Sequence, residues 1–588
     1  MDKIQLSEKA LRILRERYLR KDESGRIIET PEHMFRRVAH TIAQPDIIYE
    51  GHDSSIKTES EFYGMMTSME FLPNSPTLMN AGTEIGQLSA CFVIPVSDSM
   101  DGIFGAVKLM AKIHQSGGGT GFSFSNLRPE GDVVKSTKGV ASGPLSFMGI
   151  FDKATDVIKQ GGRRRGANMA ILSIDHPDIM KFIGVKNTAG IFSNFNLSVG
   201  VTDDFMRKAG KGQSYSLINP RTKKPVKSVN AAKVLDLIAK NAWVHGDPGI
   251  VFLDEINRKN PTPALGEIEG TNPCGEAPLL AYESCNLGSI NLSKMVSNSE
   301  KEGGKAAFKQ TIDYQKLEKT VRTAVHFLDN VIDANRHPVP EIEKATKMNR
   351  KIGLGVMGFA DMLILLGIPY ASEQAVATAE KVMKFVEETA TDESERLAKK
   401  RGPFPNFEKS VLKRRVRNAT LTAIAPTGSI SMIADCSPGI EPVFGLSSTR
   451  MVLGKKFPEV NTLFERIAKE KGFYSQELIS QVAKNGTLKD SKVPAEIKAL
   501  FATATEIAPE WHVRIQAAFQ KHTDNAVSKT VNLPAAAKVS EVRRIFMLAW
   551  KLKCKGVTVY RYGSKPVQVI YLGKKQDPKI TDLKIGDN

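Results

Sequence analysis

Apolar residues at helical spacing open the chain. In Ser7-Glu8-Lys9-Ala10-Leu11-Arg12-Ile13-Leu14 they recur on one face while charges take the other. Residues 1–65 therefore read as a helical cap on a larger body. A second amphipathic helix leads into the glycine run Gly117-Gly118-Gly119-Thr120-Gly121. Far downstream, Leu421-Thr422-Ala423-Ile424-Ala425 has the length and composition of a short buried strand. Small polar residues follow, in Pro426-Thr427-Gly428-Ser429-Ile430-Ser431, and predict a loop that opens a helix. The longest apolar run, Met362-Leu363-Ile364-Leu365-Leu366, is far too short to cross a bilayer.

Composition narrows the class. A chain of 588 residues with 41% apolar content can bury one large core. The N-terminus, Met1-Asp2-Lys3-Ile4-Gln5, leads into a charged helix and not into a signal peptide, so a soluble cytoplasmic protein with no membrane partner is expected. Five cysteines, an odd and sparse number, argue against a secreted disulfide framework. No CxxC pair, HExxH or Cys/His cluster is present, so no metal site is expected. The net charge of +18 is spread among acids and reads as a solvated basic surface, with no nucleic-acid groove.

The densest candidate chemistry is Asn272-Pro273-Cys274-Gly275-Glu276. An amide, a thiol and a carboxylate alternate there. In an extended segment they would share one face and could bind, react with and deprotonate a single small substrate. Pro273 and Gly275 suit a tight loop. A plain turn around an inert buried cysteine fits these five residues equally well. Cys285, in Glu283-Ser284-Cys285-Asn286-Leu287-Gly288-Ser289-Ile290-Asn291-Leu292, and Cys91, in Leu88-Ser89-Ala90-Cys91-Phe92-Val93, favour the chemical reading.

Four other stretches invite a ligand. Asn74 and Ser75 precede Pro76 in a loop within Phe71-Leu72-Pro73-Asn74-Ser75-Pro76-Thr77-Leu78. The glycines of 117–121 let backbone approach a ligand, or simply make a turn. Strand, small polar loop and helix start at 421–431 form a phosphate cradle, or an ordinary capped turn; the GK[ST] ending of a Walker loop is missing. In Gln160-Gly161-Gly162-Arg163-Arg164-Arg165-Gly166 three arginines between glycines could follow a phosphate, or form a solvated charge run. By contrast, Gly353-Leu354-Gly355-Val356-Met357-Gly358 has the GxGxxG spacing but follows a charged segment, Lys344-Ala345-Thr346-Lys347-Met348-Asn349-Arg350-Lys351. A dinucleotide fingerprint requires a buried strand before it, so no nicotinamide site is expected.

From Phe71 to Lys565 these motifs resemble the catalytic chain of ribonucleotide reductase, most closely its class II, adenosylcobalamin-dependent branch. The resemblance implies an α/β fold: a ten-stranded barrel of two parallel five-stranded halves with a central catalytic finger loop (residues 66–565). The helical segment 1–65 would precede it and a tail, 566–588, would follow. It implies reduction of ribonucleoside diphosphates, as DNA precursors, by a thiyl radical on Cys274, with Asn272 and Glu276 as catalytic partners and Cys91 and Cys285 as the redox-active pair. Substrate residues would be Ser75, Ala90, Cys91, Gly119, Asn272, Cys274 and Glu276, with Pro426, Thr427, Gly428, Ser429 and Ile430 at the phosphates. A deoxynucleoside triphosphate effector would meet Asp98, Arg128 and Lys135, and the loops 131–143 and 160–166, with Arg163, Arg164 and Arg165, would relay it. A homodimer is expected.

Three departures shape the expectations. Tyr560 is followed by Arg561 where class I relatives usually carry two adjacent tyrosines on a radical path, which favours adenosylcobalamin. The Asp-x-His-x-x-Gly cobalamin motif is absent, and this family does not use it, so the cofactor rests on the resemblance alone. After Lys565 there is no cysteine, so either the tail is truncated, or a separate cysteine-bearing subunit or another, thioredoxin-like reductant supplies the thiols that the family's tail usually carries. Only a short helical segment precedes the core motifs, so the family's N-terminal activity domain is expected to be absent. Cys436 and Cys554 read as structural. The rival readings are a class I large subunit needing a metal-bearing partner and a non-catalytic nucleotide sensor on the same fold.

Overall fold

The computed structural model describes residues 4–134, 138–158, 166–188, 190–298, 310–452 and 455–564. It starts with the expected helices. Ser7 caps Glu8–Ile13, its Oγ accepting from the Ala10 amide at 3.2 Å, and Thr30 caps Pro31–Ala43. The last of this group, His52–Thr67, ends just before the strand Phe71–Pro73. These helices have no core of their own. Phe62 packs edge-on against Phe327 at 4.9 Å, and Phe71 against the same ring at 5.5 Å, on the helix Tyr314–Ala334.

Two parallel half-sheets follow. The first runs Cys91–Val93, Gly119–Ser123, Asn168–Ser173, Phe195–Val201, Gly249–Phe252, each strand parallel to the next. In the second, Ser284–Asn291 pairs in parallel with Ile352–Met357, and Thr530–Leu533 with Gly556–Arg561. The segment 421–425 lies between those two pairs. It is joined by parallel bridges from Leu354 to Thr422 and from Ile424 to Val527. It is the buried strand expected from its apolar run: the Ala423 amide donates to the Leu354 carbonyl and the Ile424 amide to the Ala526 carbonyl, each at 3.1 Å. The halves meet antiparallel at both seams, Ser284–Asn291 against Cys91–Val93 and Gly556–Arg561 against Gly249–Phe252. The sheet thus closes into a barrel of two five-stranded halves, as the resemblance implied.

The GxGxxG stretch runs along the strand Ile352–Met357, with only Gly358 past its end, and not in a loop after a strand. Its glycines serve packing: a Cβ at Gly353 would sit 3.3 Å from Cys285 Sγ, and one at Gly355 would run into the Ala423 carbonyl. Among the described residues no helix is long and apolar enough to cross a membrane.

Candidate active site

Asn272, Cys274 and Glu276 occupy the tip of a hairpin inside the barrel. Its stem pairs Gly270–Thr271 with Pro278–Leu279, Thr271 opposite Pro278. At the tip the Gly275 amide donates to the Asn272 carbonyl at 3.1 Å, and Gly275 adopts φ +81°, a left-handed conformation open to glycine. The trio is therefore not displayed by an extended segment, as its alternation suggested. The turn puts Cys274 at an exposed apex, while Asn272 and Glu276, at its two ends, are each only 2% exposed.

Neighbouring strands make room for this finger and hold it. A Cβ at Gly119 would lie 3.0 Å from Pro273 Cγ, and one at Gly121 would collide with the Thr271 carbonyl oxygen. Asn196 Nδ2 donates to the Pro273 carbonyl at 2.8 Å from the first half-sheet. The Ala526 amide donates to the Glu276 carbonyl at 2.9 Å from the second.

Cys91 and Cys285 stand directly opposite each other across the antiparallel seam. Such opposed residues have Cα atoms about 4.5–5.5 Å apart, a span that a disulfide bridges. Asn272 Nδ2 donates to Cys91 Sγ at 3.0 Å, and the Cys91 thiol makes a long sulfur contact of 4.0 Å to Glu276 Oε1. Asn272 Oδ1 accepts from the Ala277 amide at 3.0 Å, which sets the orientation of the side-chain amide. Cys285 is fully buried among Ala277, Leu279, Leu287 and Ala423. That burial pushes its thiol well above the ordinary range; Glu276 pushes the same way, and Lys351, which donates to Glu283 at 2.6 Å, opposes them.

A cavity of about 310 Å³ opens over Cys91, Asn272, Cys274 and Glu276. Its walls include every expected substrate residue: Ser75, Ala90, Cys91, Gly119, Asn272, Cys274, Glu276 and residues 426–430. The helix opening after that loop is short, Ile430–Ile433. Amides at a helix start lack partners within the helix, so this wall can offer N–H groups to an anion. Thr427, at φ +53°, folds the loop back and accepts from the Gly439 amide at 2.7 Å through its Oγ1. Tyr18 and Arg17, which no motif marks, also line the cavity, as does Asn74 beside the expected Ser75. A tyrosine on the inner face of an amphipathic helix looks like core, so nothing in the pattern singles out Tyr18.

A larger cavity, about 1390 Å³, shares Pro426 and Gly428 with the first. Asp361, Cys436, Glu441 and Thr558, Val559 and Tyr560 of the last strand bound it. Cys436, read as structural from the sequence, is half-buried on this wall. Burial, then Asp361 and Asp435, holds its thiol well above the ordinary range. Cys554 is fully buried, as expected.

Of the expected effector residues, the described Asp98 and Arg128 line neither cavity. Asp98 and Arg128 neutralise each other, Arg128 Nε donating to Asp98 Oδ2 at 2.8 Å. Beyond them, Val133 bridges Val140, and Arg221 makes a two-pronged contact with Asp132. Lys135, Arg163, Arg164 and Arg165 lie outside the described residues.

Comparison with known proteins agrees with this geometry. A family model described as "Ribonucleotide reductase, barrel domain" matches residues 89–416 and 409–560, and one described as "Ribonucleotide reductase, all-alpha domain" matches residues 4–86. A vitamin B12-dependent ribonucleoside-diphosphate reductase of Thermoplasma acidophilum is 50% identical over 639 residues, covering 98% of this chain and 82% of that protein. Its namesake from Mycobacterium tuberculosis is 49% identical over 573 residues, covering 97% and 81%. The class Id ribonucleotide reductase alpha subunit of Actinobacillus ureae shares the fold, with TM-score 0.77 at 23% identity over 95% of this chain and 97% of that one.

Proposed function

Since the chain belongs to the ribonucleotide reductase family, we propose that it reduces ribonucleoside diphosphates to 2′-deoxyribonucleoside diphosphates with adenosylcobalamin as radical source. One observation carries the reading: the thiols of Cys274, at the finger apex, and of Cys91 line one nucleotide-sized cavity, and Cys285 stands in disulfide register with Cys91 behind it.

The cofactor reading has room to fit. The 1390 Å³ cavity exceeds the usual range for small ligands, about 300–1,000 Å³, and reaches the same 426–428 loop that walls the substrate cavity. Ser437, Glu441, Thr558 and Tyr560 are among the side chains that would hold the corrin there. When bound, adenosylcobalamin supplies the one-electron chemistry that turns a thiol into a thiyl radical. The protein's part is placement and proton movement. Cys274 takes the ribose 3′ hydrogen as a thiyl and returns it at the end. Glu276 accepts the 3′ hydroxyl proton, and Asn272 orients the ribose hydroxyls. The 2′ hydroxyl leaves as water. Cys91 and Cys285 give two electrons and two protons and close one S–S bond, which an external dithiol reopens. A thioredoxin-like protein or a separate cysteine-bearing subunit is the expected physiological reductant.

The deciding assay is the purified chain with dithiothreitol and a ribonucleoside diphosphate, with and without adenosylcobalamin. Deoxynucleotide formed only with the cofactor supports the reading. Formation that requires a metal-bearing partner subunit instead favours a class I large subunit, and binding without turnover in either case favours a sensor. We further propose a homodimer and a deoxynucleoside triphosphate effector acting through loops 131–143 and 160–166. Replacing Arg163, Arg164 and Arg165 by alanine is then expected to abolish an effector–substrate coupling of about 1–3 kcal/mol, measured as effector-dependent choice among bases. Unchanged selectivity would remove the loop from that role.

A further inference from the structure

Two residues of the active-site cavity have no part in the chemistry above. Asn74 is 7% exposed and lines the cavity. It caps the helix Ser75–Asn80, its Oδ1 accepting from the Thr77 amide at 3.0 Å and from the Thr77 hydroxyl at 3.2 Å. A backbone N–H can only donate, so the atom receiving it must be the oxygen, and the orientation of the side-chain amide is settled. Asn74 Nδ2 consequently points away from the cap, and among the described residues no protein group accepts from it. A buried donor left in this state is unfavourable unless a ligand completes it.

Tyr18, 1% exposed, lines the same cavity from the N-terminal helices. A single π turn, Leu14–Tyr18, closed by the Leu19 amide on the Leu14 carbonyl at 2.9 Å, brings it there. Its hydroxyl lies 2.7 Å from Ser75 Oγ. A serine hydroxyl has one proton. If Ser75 gives it to Tyr18, only lone pairs face the cavity; if Tyr18 donates, the Ser75 proton is released for an acceptor there. An anionic ligand selects the second arrangement.

The neighbours identify which end of the nucleotide is involved. Helix Glu8–Ile13, just before the π turn, packs on helix Ile430–Ile433, which continues the 426–429 loop. Arg17 lines the cavity beside Tyr18. We infer that this N-terminal wall holds the diphosphate of the substrate, Asn74 donating to it directly and Tyr18 acting as a positioning residue that aims the Ser75 hydroxyl at it. The inference rests on the reductase reading and deepens it.

The test uses the full chain with dithiothreitol and adenosylcobalamin, CDP as nucleotide and cytidine as its phosphate-free counterpart. Asn74→Asp keeps the capping oxygen but replaces the N–H donor by an anionic oxygen. It is expected to weaken CDP binding by about twentyfold or more while changing cytidine binding by less than about threefold. Tyr18→Phe is expected to raise the CDP KM by about threefold to tenfold with kcat within about twofold, and to have no further effect once Ser75→Ala is present. Should the aspartate variant not fold, Asn74→Ser keeps a capping oxygen and removes the donor, and the same selective loss of CDP binding is expected. CDP binding like the parent's in the folded Asn74 variant, or a Tyr18→Phe effect that persists in full beside Ser75→Ala, would overturn the assignment. A parent chain that neither binds nor reduces CDP would overturn the reductase reading itself, and this inference with it.

Discussion

Cys274 sits at the apex of the finger, Cys91 lines the same cavity and Cys285 stands in register behind it, a division of labour that single atoms can test. Cys274→Ser removes the one side chain placed to carry a radical over the substrate while barely changing volume. Turnover is expected to vanish and nucleotide binding to stay within about threefold, read by equilibrium binding; deoxynucleotide formation at the parent rate would end the thiyl assignment. Asp361, on the wall of the large cavity, offers a different check. Burial raises its pKa from 3.8 to about 6, against the opposing hydrogen bond from the Ser437 amide at 2.5 Å. The folded state therefore holds this proton more tightly than the unfolded chain does. Stability falls as pH rises from about 4 to 6, and above that the loss is complete, amounting to about 3 kcal/mol for a two-unit shift. Asp361→Asn keeps an acceptor for Ser437 and has no charge to bury. Thermal midpoints of the variant are expected to exceed the parent's at pH 7.5, with the gap closing toward pH 4; a gap independent of pH would contradict the shift.

The finger hairpin shows what an element needs from its neighbours. Two-residue strands cannot hold a loop rigidly alone. The stem is fixed because Gly119 and Gly121 leave no side chain where it crosses their strand, and because Asn196 and Ala526 bond it from both half-sheets. Gly121→Ala adds one methyl against the Thr271 carbonyl, a backbone atom that cannot step aside without moving the finger. Since a displacement of about 1 Å can lower a rate by about a hundredfold, kcat is expected to fall by about that factor, with a far smaller change in the thermal midpoint. A Gly121→Ala enzyme with parental kcat would show that the finger is not held by this crossing. The sequence marked the glycine run as a floor for ligand. It did not show that the same glycines first accommodate the finger, because that contact joins residues far apart in the chain.

The whole molecule depends on how the N-terminal helices are fastened, since they bring Tyr18 to the cavity. The fastening is polar as well as aromatic. Arg401, its side chain fully buried, donates from Nη2 to Asp46 at 2.7 Å and Glu50 at 2.9 Å and lies 2.9 Å from His326 Nε2. Asp46, Glu50 and His326 are close enough to share a metal ion, but the guanidinium already stands among them as the cation. Removing one partner of such a buried group leaves uncompensated charge, at about 3–5 kcal/mol. Arg401→Met is expected to lower the thermal midpoint and to weaken CDP binding by loosening the Tyr18 wall. A variant with parental stability would mean that aromatic packing alone holds the cap.

Local pattern was enough for the parts of this protein that local chemistry governs. The helical spacing at Ser7–Leu14, the apolar strand 421–425, the loop residues of 272–276 and the clustering of reactive side chain types could all be read from neighbours in sequence, and the recognisable motifs carried the barrel expectation. Tertiary structure alone decided the rest, because it concerns residues brought together from far along the chain. It set Cys91 opposite Cys285 in register, turned the Asn272–Glu276 trio about a hairpin instead of along a strand, and buried a GxGxxG run inside the sheet. It also aimed Tyr18 and Asn74 into the cavity and put Cys436 on the wall of the larger one. Side-chain spacing specifies which face of an element is apolar; only the closed barrel specifies which faces meet.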